Sequence, residues 1–170
     1  MKLNQKGYML VEIVVASVLA MSIAYFLLNL TYKFKNKNED IQQSYIYTKD
    51  KVLITKNIMS DLERGIVKNI AVIANQVTFE LDIINNNASE ENITEKRKLL
   101  IEDNIIEYGK IDNDNFDMND ISYYKKELSS SLIIKNLNCE HNNNNMIITI
   151  SISSIYDDND YSIKLIAKTS

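Results

Sequence analysis

The chain has 170 residues, 45% of them apolar, and a formal net charge of −4, which suits one domain or one domain on a membrane anchor. That balance excludes a broad basic face for neutralising phosphates, so no nucleic-acid contact is expected. A single cysteine, Cys139, excludes an intrachain disulfide, and with one histidine, His141, it excludes the usual zinc sets within one chain.

Isoleucine (26), asparagine (22) and lysine (17) dominate, against two arginines, Arg64 and Arg97. This composition resembles what the codon bias of an AT-rich bacterial genome produces, and it says little about function. Residues 1–7 carry Lys2 and Lys6, no acid, and end in Gly7. Tyr8-Met9-Leu10-Val11-Glu12 follows, then an uncharged run from Ile13 to Leu30 interrupted only by Ser17, Ser22 and Asn29. As a helix this run is about 27 Å long at ~1.5 Å per residue, close to the hydrocarbon thickness of a bilayer. Neither glycine nor proline interrupts it.

Three readings compete for this stretch. A cleaved secretory signal fits the basic start, and Ser22-Ile23-Ala24 faintly matches a cleavage site, but the apolar run continues past it. A plain signal anchor is the second reading. Neither has a use for Glu12, which costs ~2–3 kcal/mol if it lies deep in lipid unpaired. A cut after Gly7 creates an amine at Tyr8. A helical chain is expected to hold its own amine away from Glu12, whereas a neighbouring chain's amine can pair with it.

Gly7-Tyr8-Met9-Leu10-Val11-Glu12 resembles the class III signal of type IV pilins and pseudopilins: a glycine, an aromatic, a small polar residue, two aliphatics and a glutamate. The resemblance implies cleavage by prepilin peptidase between Gly7 and Tyr8, N-methylation of Tyr8, and an assembly role for Glu12. Tyr8 stands where Phe is usual and Met9 where Thr or Ser is usual. The helix-kinking proline of many major pilins is missing, and Asn29 stands near its place. The family's peptidase acts on the cytoplasmic side, so the N-terminus is expected there, with the C-terminal domain outside the cytoplasmic membrane and later on a surface filament. Lys33, Lys35 and Lys37 after the apolar run oppose this orientation by the positive-inside rule.

From Phe34 to about Gly65 the period is helical. Tyr45, Val52, Met59 and Ile66 recur every seven residues, with Ile41 and Leu62 on companion positions and Ile54 and Ile58 widening the stripe. The stripe is expected to pack on the domain's own sheet rather than in an intermolecular coiled coil, and Gly65 to end the helix. The period then changes to two. Val77 to Ile83 reads as a half-buried strand, Asp103-Asn104 as a hairpin turn between Lys98–Glu102 and Ile105–Tyr108, and Leu132 to Leu137 as a short strand. Met146–Ile155 and Tyr161–Lys168 read as a closing antiparallel hairpin around Asp157-Asp158-Asn159-Asp160. The expected class is α+β: a leader at 1–7, a membrane or assembly helix at 8–32, an amphipathic helix at 33–66 and a β-sheet region at 67–170.

The phrase Ile58-Met59-Ser60-Asp61-Leu62 and the closing hairpin further resemble the larger minor pseudopilins, among them the J-type subunit of type II secretion and its Gram-positive competence counterpart. The fold implied is the pilin fold. The partners implied are other pilins or pseudopilins through the N-terminal helix, prepilin peptidase and the membrane.

No active site and no cofactor are expected. Cys139 and His141 sit in an Asn-rich stretch that reads as a flexible loop rather than as a nucleophile and its base. Asp112, Asp114 and Asp117, and Asp157, Asp158 and Asp160, offer oxygen ligands for calcium, but neither cluster has the glycine and glutamate of an EF-hand, and both read as solvated loops. The alternative function is a signal-anchored extracytoplasmic binding domain that does not polymerise.

Overall fold

The computed structural model describes residues 4–84, 93–142, 144–155 and 160–170, with backbone only for residues 4–8. Residues 1–42 and 43–170 form two compact units. Helix α1 (Asn4–Leu62) contributes to both. No glycine or proline occurs between Tyr8 and Arg64, so nothing in the sequence breaks the hydrogen-bond ladder over these turns.

In the first unit α1 stands without covering structure. Met9, Leu10, Val11, Ile13 and the apolar side chains up to Phe34 are more than half exposed, apart from the half-buried Leu30. This is the one helix among the described residues that is long and apolar enough to cross a membrane.

In the second unit the last five turns of α1 pack on antiparallel sheets, an α+β arrangement. One sheet runs β1 (Gly65–Ile73), β2 (Gln76–Ile83), β3 (Ile93–Glu102), β4 (Ile105–Asp112) and β5 (Asn115–Phe116), with β6 (Tyr124–Glu127) also pairing β4. The other runs β7 (Leu132–His141), β8 (Asn145–Ser154) and β9 (Asp160–Lys168). A parallel bridge between Val67 and Thr169 joins β1 to the end of β9.

The strands form where the apolar period is two. In β8 every second residue from Met146 to Ser154 is buried, and Met146, Ile148, Ile150 and Ile152 enter a core shared with Ile163 and Leu165 of β9. Phe79, Leu81, Leu99, Ile106 and Tyr108 of the larger sheet meet Ile54, Ile58 and Leu62 of α1 in the same core. Each fully buried aliphatic side chain there contributes about 1.5–3 kcal/mol relative to exposure.

Turns follow from residues that tolerate left-handed backbone. Asp103 and Asn104 (φ 47° and 66°) close β3–β4, and Asn113 and Asp114 (φ 48° and 66°) close β4–β5. Asn104 does more than turn the chain. Its Nδ2 donates to the Leu132 carbonyl (2.8 Å) and its Oδ1 accepts from the Ile134 N–H (3.0 Å). Its carboxamide thus stands in for a neighbouring strand on β7 and ties the smaller sheet to the larger one.

Four expectations need correction. The stripe spaced by seven is not the buried one: Tyr45 and Val52 are 69% and 56% exposed, Ile41 is exposed, and Met59 is half-buried. The buried face is Tyr47, Asp50, Ile54, Ile58, Asp61 and Leu62: Ile54, Ile58 and Leu62 of the expected stripe do pack on the sheet, while the positions spaced by seven lie mostly round the other side. Two aspartates complete the buried face where a count of apolar residues would not place them. The helix ends at Leu62, and Ile66 lies in β1 rather than on the helix.

Gly65 is not a left-handed helix cap, since it has no positive φ. A Cβ there would collide with the Asp82 carbonyl oxygen, so its role is close approach of β1 to β2. Finally, β7 runs on to His141 and takes up the segment read as a loop, while β1 and β6 lack the clean alternation that would mark them. The closing hairpin forms antiparallel as expected, with Asp160 already in β9, and residues 156–159 of its turn lie outside the described residues.

Candidate functional site

Two features stand out from the packed core: the uncovered half of α1 with Glu12, and the place where α1 is fastened to the sheet.

Glu12 is the only charged residue between Gly7 and Lys33. It is exposed on α1 among exposed apolar side chains, and among the described residues no cation pairs with it. A helix that is apolar on all sides needs lipid or other protein around it. Its serine and threonine hydroxyls are already satisfied: Ser17 donates to the Val14 carbonyl (2.8 Å), Ser22 to Val18 (2.8 Å) and Thr31 to Leu27 (2.9 Å). That internal bonding removes the cost of placing them away from water. Glu12 has no such outlet and is the one charged group on this surface, without a cation partner among the described residues.

Gly7 and Tyr8 lie within α1, and nothing is described of their side chains. Tyr8 and Glu12 are four residues apart and therefore share a helix face, about one turn of 5.4 Å apart. An amine there would be a backbone group about one turn before Glu12, so position along the helix does not by itself choose between a chain's own amine and a neighbour's. The case for a neighbouring chain rests instead on the uncovered apolar surface.

The fastening centres on Asp61, in the last turn of α1 and 3% exposed. Both arginines of the chain bind it. Arg97 Nε donates to Asp61 Oδ2 (2.7 Å) and Nη2 to Oδ1 (3.4 Å), while Arg64 Nη1 donates to Oδ1 (3.1 Å). The Tyr108 hydroxyl donates to Oδ2 (2.7 Å). Arg97 Nη2 also meets Glu95 Oε2 (2.7 Å), and Lys110 Nζ donates to Glu95 Oε1 (2.8 Å). Arg97 is completely buried, and its Nη1 is left without a hydrogen bond. Three turns earlier Asp50, also buried, pairs with Lys126 (3.1 Å) and accepts the Ser129 N–H (3.3 Å). Two acids on one helix face, each held by sheet residues, set both the rotation and the axial register of α1 on the sheet.

The electrostatics match this geometry. Burial alone would lower the Arg97 pKa, but Asp61 and Glu95 hold it above its ordinary value. Burial, then the charge of Asp61, push the Tyr108 hydroxyl well up, so it stays protonated and donates. Burial would raise the Glu95 carboxyl, but hydrogen bonds from Lys110 and Arg97 outweigh it and hold the group below its ordinary 4.5. A shallow cavity of about 280 Å³ opens beside Asp61, lined also by Asn57, Ser60, Arg64 and Tyr124. Every lone-pair direction of Asp61 is already taken by a donor, so it offers no free base to this cavity.

The remaining candidates are not brought together. Cys139 is half-buried in β7, where burial and then Glu140 raise its pKa and suppress the thiolate. His141 is exposed two residues on, and no hydrogen bond joins them. Among the described residues no three His, Cys, Asp or Glu side chains converge as metal ligands, and Asp157 and Asp158 lie outside those residues.

Sequence reasoning missed Asp61 and Arg97 as partners. The available signal was the rarity of arginine: in a chain where lysine serves nearly every basic position, Arg97 occupies a site that uses a planar, two-pronged donor. Comparison of the chain with protein-family models, with curated proteins and with solved structures finds no match in any of the three.

Asp61→Ala is expected to lower stability by about 3 kcal/mol, because it removes one of the two carboxylates that compensate the buried Arg97 and leaves Nε without an acceptor, while Arg64→Ala, at a half-exposed site, costs under about 1 kcal/mol. Urea denaturation of the two variants checks this. Equal losses would show that Asp61 is not the fastening point. A depressed folded-state pKa contributes stability that is present above the unfolded value and lost as pH falls. The urea midpoint should therefore drop as pH falls below 4.5, and Glu95→Gln should make that drop shallower.

Proposed function

We propose that the chain is a minor pilin or pseudopilin, a structural subunit of a type IV pilus-like filament serving competence, secretion or adhesion. The observation that carries this reading is Glu12: a lone carboxylate on an otherwise apolar helix, placed directly after Gly7-Tyr8. The continuation of that helix into an antiparallel-sheet domain supports it further.

In this reading prepilin peptidase cuts between Gly7 and Tyr8, and the apolar helix moves from lipid into a bundle with neighbouring subunits. Glu12 pairs there with the Tyr8 amine of an adjacent subunit. That pairing supplies the partner which a carboxylate in an apolar surround requires. The exposed side chains Tyr45 and Val52 give the second unit a further apolar strip available to neighbours. A signal-anchored binding domain that stays in the membrane is the second reading, favoured by Lys33, Lys35 and Lys37 on the side that the positive-inside rule would assign to the cytoplasm.

Two substitutions separate these readings in cells that assemble the filament. Glu12→Ala should leave processing intact and reduce incorporation into sheared filaments by more than about a hundredfold, the equivalent of ~3 kcal/mol for an unpaired buried charge partner. Gly7→Ala should accumulate uncut precursor. Normal incorporation of Glu12→Ala would contradict the assembly role and favour the anchored domain.

A further inference from the structure

Lys33, Lys35 and Lys37 are not explained by an assembly helix, and their placement on α1 carries an inference of its own. The uncharged run ends at Leu30. Lys33 begins about 4.5 Å beyond it and Lys37 about 10.5 Å beyond it, at ~1.5 Å per residue. The headgroup layer on each side of a ~30 Å hydrocarbon core is roughly 5–8 Å deep. Lys33 therefore starts inside that layer, and the flexible stem of Lys37 reaches back to it. Tyr32 and Phe34, 65% and 69% exposed, lie at the same level, where aromatic rings favour the interface.

The three lysines are not equivalent. Lys35 is paired with Glu39 at 3.9 Å. Lys33 and Lys37 are four residues apart, share a face with Cβ atoms about 6 Å apart, and are exposed. Among the described residues neither has an ion-pair partner, although Asp40 lies only three residues beyond Lys37. The order along the helix is apolar run, cations, then acids at Glu39 and Asp40. That order complements a negatively charged layer next to the apolar core and places the acids farthest from it.

We propose that Lys33 and Lys37 form a binding site for the phosphate of an anionic phospholipid headgroup, flanked by Tyr32 and Phe34. The site holds the helix at a set depth and binds acidic lipid in preference to zwitterionic lipid. It rests on the reading that the Ile13–Leu30 segment lies in the bilayer, and it does not depend on filament assembly or on the cut after Gly7.

The test uses the full chain reconstituted in bilayers of phosphatidylcholine mixed with phosphatidylglycerol. Resistance to carbonate extraction first establishes insertion, and native mass spectrometry then counts the lipid retained on the protein. Each lysine at an anionic surface corresponds to about a fivefold preference, from ~1 kcal/mol per charge. The wild type should therefore prefer phosphatidylglycerol over Lys33→Gln/Lys37→Gln by about twenty-five-fold, with Lys2 and Lys6 present in both. Lys35→Gln should retain the wild-type preference. Raising the salt to about 1 M should erase the difference, since the screening length falls to about 3 Å.

An inserted protein whose preference is the same in the double variant overturns the proposal while leaving the membrane reading intact. Extraction by carbonate overturns the membrane reading and the proposal with it. Loss of the preference on adding millimolar inorganic phosphate at constant ionic strength assigns the site to free phosphate and overturns the lipid assignment.

Discussion

Asp61 accepts four hydrogen bonds from three residues, and everything between α1 and the larger sheet is arranged around that fact. A carboxylate and a guanidinium both removed from water are stable only if each completes the other's hydrogen bonding. Arg97 reaches Asp61 with Nε and Nη2 and extends Nη2 to Glu95, which is in turn held by Lys110. Burial would raise the Asp120 carboxyl, but hydrogen bonds from the Ser122 hydroxyl and N–H, with the charges of nearby Arg97 and Lys110 added, hold it below its ordinary value. Three cations and three carboxylates thus balance around one buried arginine. Such a network is directional in a way that Ile54 and Ile58 are not: an apolar face tolerates sliding, whereas Asp61 fits one rotation and one axial position of the helix.

The same constraint explains why the fold was only partly legible in the sequence. The strands with clean period-two alternation, β2 and β8 above all, were readable because burial on one face and solvent on the other leave a mark in every second residue. The turn at Asp103-Asn104 was readable because few residue pairs accept left-handed backbone. The buried face of α1 was legible only at Ile54, Ile58 and Leu62, because Asp50 and Asp61 share it and a hydropathy pattern counts them as solvent positions. The stripe Tyr45–Val52 looked like a core face because heptad spacing is the same whether the partner is the chain's own sheet or another molecule. Strand β1 escaped notice because its bulge at Asn69-Ile70 breaks the alternation, and the Cys139–His141 stretch because asparagines read as loop when they sit on the exposed side of an edge strand.

The candidate site divides along the same line. Glu12 and the uncharged run after it were legible because a lone acid in an apolar stretch violates a strong rule, and violations are where function is written. The fastening at Asp61 was hidden because an ion pair formed by residues 36 apart has no local signature. The two features have complementary consequences. In the second unit α1 is fastened to the sheets, and in the first its apolar surface, with Glu12 on it, is uncovered and requires lipid or protein. The lysines just beyond Leu30 then mark where that requirement ends.

The claim on which the functional account turns is that Gly7-Tyr8 is a processing site. It is tested most directly by intact-mass and N-terminal peptide mass spectrometry of the protein recovered from the membrane of a cell that carries prepilin peptidase. The account predicts a chain beginning at Tyr8 with one methyl group on its amine. A chain that retains Met1, or one cut after Ala24, would contradict it.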